Sequence, residues 1–221
     1  MENDPTIYFL RHGKIDLPYA SHLDMPYEVL DDLATSRLDP PIAPESCDIF
    51  LQVVQNISLN EVGAIYYNNS GRQSRRSFES AKLVARLIQE QNGRDVPIVG
   101  THDCKEVDFN LPALLSKEAF EKGGMPAIRS ALYHAEVTGS CVENIEEMFT
   151  RIERLFAVLK EHGKTAIVIS HDFFMRVIEV YLTTTKNPDE VTVRDLDHTT
   201  LSTYFRGFEA SINADRYKRF Q

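Results

Sequence analysis

Two histidines each close an apolar, β-branched run: His12 ends TIYFLRHG at residues 6–13, and His171 ends KTAIVISH at 164–171. Arg11 and Gly13 flank the first; Ser170 and Asp172 flank the second. A third group, RQSRRSFESA at 72–81, places Arg75 and Arg76 where a helix would begin. These residue types share a chemistry. A neutral imidazole nitrogen is a nucleophile, and an arginine gives forked hydrogen bonds to an oxyanion. A helix N-terminus adds unpaired N–H groups and partial positive charge. Together they suit a phosphoryl group. Taken singly, each has a plainer reading: a histidine after a strand more often packs, and an arginine in a first helical turn is usually solvated.

The elements that would carry these groups are readable. Residues 6–10, 63–69 and 164–170 are continuous apolar runs, as in strands buried on both faces of a parallel sheet. Shorter strands are expected at 96–100 and 200–208. Ile145, Met148, Phe149, Ile152, Leu155, Phe156 and Leu159 recur at helical spacing, which predicts a helix over 143–162 stopped by Gly163. Phe78, Ala81, Val84, Ala85 and Ile88 do the same over 74–92, ending near Asn92-Gly93. Further helices are expected at 172–182 and 45–58. The alternation predicts a single three-layer α/β domain over 1–221, a mostly parallel sheet with helices on both faces. In such sheets ligands bind outside the carboxyl ends of the strands, where both histidines fall. Two segments break the alternation: 14–44, rich in proline, and 110–137, where 116–122 and 126–135 could form short helices. They are expected as insertions covering a pocket.

Composition excludes several classes. With 43% hydrophobic and 26% charged residues the chain reads as an ordinary globular protein. No apolar run reaches the roughly eighteen residues of a membrane helix. The opening MENDPTIYFL lacks the basic-then-apolar pattern of a leader. Cys47, Cys104 and Cys141 are scattered and odd in number, so free thiols and a cytoplasmic location are expected. There is neither Cys-x-x-Cys nor His-Glu-x-x-His, and His102-Asp103-Cys104 reads as structural, so no metal or cofactor is expected. A net charge of −9 argues against nucleic acid and anionic membrane as partners. An anionic substrate would need a local cluster of positive groups. The sequence leaves a homodimer open.

In combination these motifs resemble the histidine phosphatase superfamily, the phosphoglycerate-mutase-like family. The family's Arg-His-Gly is Arg11-His12-Gly13, and its Arg-Ala-x-x-Thr-Ala is Arg76-Ser77-Phe78-Glu79-Ser80-Ala81. Its acid motif is Glu106-Val107-Asp108-Phe109, and its Ser-His-x-x-x-x-Arg is Ser170-His171 with Arg176. The resemblance spans residues 6 to about 205. Lys14-Ile15, Asn110 and Asp172 depart from the usual residues, and the Ser-Pro that often precedes the second arginine is missing. These departures bear on the leaving group, not on the phosphoryl site.

The resemblance implies a phosphatase acting on a small phosphorylated metabolite. His12 would carry the phosphoryl group as phosphohistidine, its other nitrogen held by a backbone carbonyl. Arg11 and Arg76 would clamp the phosphate, and His171, as imidazolium, would add a third cationic donor. Glu106 would protonate the leaving oxygen and later activate water. Lys14, Tyr19, His22, Tyr27 and Asp172 are placed where they could contact the rest of the substrate. Arg176 is expected to pair with a carboxylate. The alternatives are a mutase, disfavoured by the absence of tryptophan, a protein or phosphohistidine phosphatase, and a binding module without catalysis.

Overall fold

The computed structural model describes residues 5–19, 24–140, 143–184, 187–198, 204–213 and 217–219. The apolar runs form strands β1 (Thr6–Arg11), β2 (Ala64–Asn68), β3 (Ile98–Thr101) and β4 (Ala166–Ser170), followed by β5 (Gly207–Ser211) and β6 (Tyr217–Arg219). They build one six-stranded sheet in the order β3-β2-β4-β1-β5-β6. The first four strands are mutually parallel, whereas β5 runs antiparallel to β1 and β6 antiparallel to β5. Much of the strand expected at 200–208 lies outside the described residues, and the one observed begins at Gly207.

Successive side chains of a strand point to opposite faces, which divides the core in two. Ile7 and Phe9 of β1 pack with Ala166 and Val168 of β4 on one face. There they meet α6 (Ile145–His162) and α7 (Asp172–Thr183). Tyr8 and Leu10 pack with Ile167 and Ile169 on the other face, against α2 (Ser46–Val53) and α3 (Ser74–Asn92). The glycine stops match the sequence reading, with Gly93 ending α3 and Gly163 ending α6. Asn144 and Glu147 form a capping box at the start of α6, and Gly163 ends it at φ 65°, a left-handed conformation that glycine adopts without Cβ strain.

The two segments outside the alternation meet each other. Residues 14–44 contribute α1 (Tyr27–Ala34), and 110–137 contribute α4 (Leu111–Leu114) and α5 (Lys117–Thr138). Their apolar side chains form a third cluster in which Leu30 and Leu33 pack with Leu111, Phe120 and Ile128. The two short helices expected at 116–122 and 126–135 are found as the two halves of α5, separated at Gly124, whose φ of 57° and ψ of −151° are non-helical, with Pro126 just beyond. No helix among the described residues is long and apolar enough to cross a membrane.

Candidate active site

The sheet register brings the two histidines together. Arg11 pairs with Ser170, so His12 and His171 leave adjacent parallel strands side by side, their ring centroids 5.1 Å apart. The His12 amide donates to the Ser170 carbonyl at 2.9 Å. Gly13 is glycine because of crowding: a Cβ there would stand 2.9 Å from Ser46 Oγ and 3.0 Å from the Phe205 ring. The Gly13 amide donates to Ser80 Oγ at 2.8 Å, and that hydroxyl donates to the Arg76 carbonyl at 2.6 Å. The loop after β1 is thereby tied to the first turns of α3.

Hydrogen bonding sets the two imidazoles. His12 Nδ1 lies 2.7 Å from the Gly13 carbonyl oxygen, which can only accept, so Nδ1 carries the proton and Nε2 keeps its lone pair. Burial, then the charges of Arg76, His171 and Arg11, hold the His12 pKa well below the usual imidazole value, against a smaller opposing effect of the Gly13 bond. His171 Nε2 faces Asn68 Nδ2 at 3.1 Å. The Asn68 amide has one consistent orientation. Its Nδ2 also donates to the Arg72 carbonyl at 2.7 Å, while its Oδ1 accepts from the Ser70 amide at 2.9 Å. His171 Nε2 must therefore accept, and its proton sits on Nδ1, which is buried without a hydrogen-bond partner among the described residues. Burial, Arg76, Arg11 and Arg151 all lower its pKa. Where the sequence reading expected an imidazolium, burial and these hydrogen bonds favour a neutral His171 with its proton on Nδ1, so that Arg11 and Arg76 carry the positive charge nearby.

Arg11 is buried with its guanidinium 4.7 Å from the centroid of the Tyr204 ring. Arg76, in the first turn of α3, is buried and donates through Nη2 to Gln73 Oε1. Its Nε is buried with no acceptor among the described residues. Burial lowers its pKa to about 10, which leaves it charged at neutral pH. The neighbouring Arg75 turns outward to Glu79 at 3.0 Å, and Arg72 pairs with Asp108 at 2.7 Å. Gln73 precedes α3 in a left-handed conformation, φ 51°, and its Nε2 donates to the Leu33 carbonyl of α1 at 3.2 Å.

Glu106 reaches the same place from the loop after β3. Its carboxylate accepts from the amides of Phe174 at 2.9 Å and Val107 at 3.0 Å. Burial raises its pKa above the usual carboxylate range, and these bonds only partly offset that. Arg151 steadies the loop. It donates to the Lys105 carbonyl at 2.7 Å, pairs with Glu143 at 2.8 Å, and stacks 3.6 Å from the Phe174 ring centroid. For Asp108, burial raises the pKa, but Lys105 and Arg72 outweigh it and the net shift is downward, so this group is ionised and unsuited to giving a proton.

Arg11, His12, Arg76, Glu106 and Asp172 line one cavity of about 330 Å³, together with side chains from α1 and α5. Arg176 lies 3.5 Å from Asp172, the carboxylate partner expected for it. Other expected contacts lie elsewhere. Lys14 is drawn to Glu45 at 2.6 Å and does not line the cavity. Tyr27 donates to the Leu115 carbonyl at 2.7 Å and packs on Phe120, joining α1 to α5. Tyr19 packs into the same third cluster. His22 lies outside the described residues. Among the described residues no group of three or more His, Cys, Asp and Glu side chains could hold a metal ion. Sequence reasoning missed Asn68, Gln73 and Arg151. Only the position of Asn68 at the carboxyl end of a strand signalled a role.

A mostly parallel α/β sheet presents paired histidines and Arg11 at the ends of its two central parallel strands, with Arg76 in the first turn of α3 beside them. Solved structures with this architecture include a phosphatase and a phosphoglycerate mutase. Bacillus stearothermophilus YhfR is 14% identical, with a TM-score of 0.63 over 97% of this chain and 95% of that one. The mycobacterial glucosyl-3-phosphoglycerate phosphatase, solved with VO3, is 12% identical, with a TM-score of 0.62 over 97% of both chains. Phosphoglycerate mutase from Bacillus anthracis is 18% identical, with a TM-score of 0.58 over 99% of this chain and 92% of that one. No family model and no curated protein matches the sequence. The fold is that of the phosphoglycerate-mutase-like histidine phosphatases.

Proposed function

We propose that the chain is a phosphomonoester hydrolase of the histidine phosphatase type, acting on a small phosphorylated metabolite through a phosphohistidine on His12. The observation that carries this reading is the pair formed by His12 Nδ1 and the Gly13 carbonyl at 2.7 Å, which presents Nε2 as an unprotonated nucleophile beside two buried arginines. The Nε2 lone pair attacks phosphorus in line, and the phosphorus–oxygen bond to the alcohol breaks. Glu106 gives its proton to the departing oxygen. Water then attacks the phosphohistidine, Glu106 takes a proton from it, and the phosphorus–nitrogen bond breaks with its electrons returning to Nε2. Arg11 and Arg76 hold the equatorial oxygens as their charge rises, with His171 Nδ1–H as a neutral donor. The arginines supply the charge that a metal supplies in other phosphoryl-transfer sites, so activity is expected to survive exhaustive EDTA. Rapid quench with labelled substrate should trap label on His12, and undiminished turnover in His12→Ala would overturn the mechanism.

A further inference from the structure

The cavity has two chemically different ends. Its polar lining is gathered where the strands end, and most of it is already engaged. Gln73 gives its oxygen to Arg76 and its amide hydrogens to Leu33, and Asp172 faces Arg176. The rest of the lining is apolar. Leu30 and Leu33 come from α1, Phe109 and Leu111 from the segment after Glu106, and Met125 and Ile128 from α5 beyond the break at Gly124. Among the described residues, Arg129 is the one charged side chain that these segments add. Leu30, Leu33, Leu111 and Ile128 belong to the buried third cluster, so this wall is packed from behind.

Resting on the phosphatase reading, we infer that the substrate is the phosphomonoester of an apolar alcohol, with an aryl or branched alkyl body, rather than a sugar or glycerol phosphate. A body of that kind removes the wall from water. A polyol would bury several hydroxyls against carbon with one arginine to answer them, and a buried hydroxyl without a partner costs binding.

The test compares primary alkyl phosphates, so that the leaving oxygens are alike. Phenethyl phosphate should be turned over with a kcat/KM about a hundredfold above those for glycerol 3-phosphate and glucose 6-phosphate. The non-hydrolysable 3-phenylpropylphosphonate should bind more tightly than 3,4-dihydroxybutylphosphonate by a similar factor. Met125→Gln, which keeps volume but adds an amide to the wall, should lower kcat/KM for phenethyl phosphate relative to methyl phosphate about tenfold. This ratio does not depend on the fraction of folded enzyme. Equal or better binding and turnover of the polyol compounds would overturn the inference while leaving the phosphatase reading intact. If no phosphate ester were hydrolysed in a His12-dependent way, the phosphatase reading would fall, and the phosphonate affinities would still decide the character of the wall.

Discussion

At the residue scale, protonation decides what each histidine can do, and the hydrogen-bond partners decide protonation. Asn68 presents an N–H to His171 Nε2, so a proton on that nitrogen would face another donor. Asn68→Asp reverses this by offering an acceptor and a negative charge, against the opposing charges of Arg11, Arg76 and Arg151. His171 should then bind a second proton near neutral pH, seen as a change of its ring nitrogen shifts from the neutral Nδ1–H pattern to the imidazolium pattern. A His171 already doubly protonated in the unmodified protein would disprove the assignment. Glu106 gives a second prediction. Its pKa is raised and that of His12 is lowered, so the acid is protonated and the nucleophile free within an overlapping range. The single-turnover rate of His12 phosphorylation should fall on the alkaline side as Glu106 ionises, and on the acid side below the usual imidazole pKa. In Glu106→Gln the alkaline limb should vanish, with the rate for an alkyl phosphate reduced by about a hundredfold to ten-thousandfold and that for p-nitrophenyl phosphate clearly less. Equal losses for the two would show that Glu106 is not the acid. The sequence reading expected a backbone carbonyl at His12 and a protonated Glu106, but not the state of His171, because Asn68 acts through an orientation that exists only in the folded chain.

At the element scale, the start of α3 joins the two functions of the pocket. Gln73 holds Arg76 with one end of its amide and the α1 backbone with the other, and its own N–H donates to Ser36 Oγ at 3.0 Å. Asp39 accepts from the Arg75 amide at 2.9 Å, and Glu79 accepts from the Ile42 amide at 2.8 Å. The segment that follows α1 is thus docked along the turn that presents Arg76. Gln73 carries a backbone cost at its place, since left-handed φ is unfavourable for a residue with a Cβ. Gln73→Gly removes that strain and the amide together. The melting temperature should change little, because the two effects oppose, whereas kcat/KM should fall about tenfold to a hundredfold as Arg76 loses its fixed direction. An unchanged kcat/KM would mean that Arg76 is oriented without Gln73. The elements themselves were legible wherever periodicity was strong. The helices over 74–92 and 143–162 and the strands before both histidines follow from apolar spacing and their glycine stops. The two short helices expected within 110–137 are present as the halves of α5, but the helix within 14–44 was not foreseen, because α1 is only eight residues long and sits in a proline-rich stretch. The packing of α1 on α5 explains why Tyr19 and Tyr27 face into the cluster instead of the cavity.

At the scale of the whole molecule, function and stability draw on the same buried charges. Glu136, on α5, is buried with both carboxyl oxygens lacking a hydrogen-bond partner among the described residues. Burial, then Glu106 and Glu143, push its pKa well above the usual carboxylate value, and Arg176 opposes them only in part. At any pH between its unfolded and folded pKa values the folded protein keeps a proton there that the unfolded chain releases. Because the native state then binds more protons than the unfolded state, stability must fall as pH rises from about 4.5 toward the folded-state pKa. Glu136→Gln keeps the shape and removes the titration. Below the unfolded-state pKa both proteins carry a neutral side chain, and their difference in unfolding free energy should not change with pH. Above it the variant should gain on the parent by about 1.4 kcal/mol for each pH unit, until the folded-state pKa is reached. Urea denaturation of both proteins at pH 4, 6 and 8 measures this directly, since titrating groups not coupled to Glu136 cancel in the difference. A difference that stays constant over that range would show that Glu136 ionises normally in the fold. An acidic chain would then be carrying a buried, unpartnered carboxylate beside its candidate catalytic acid.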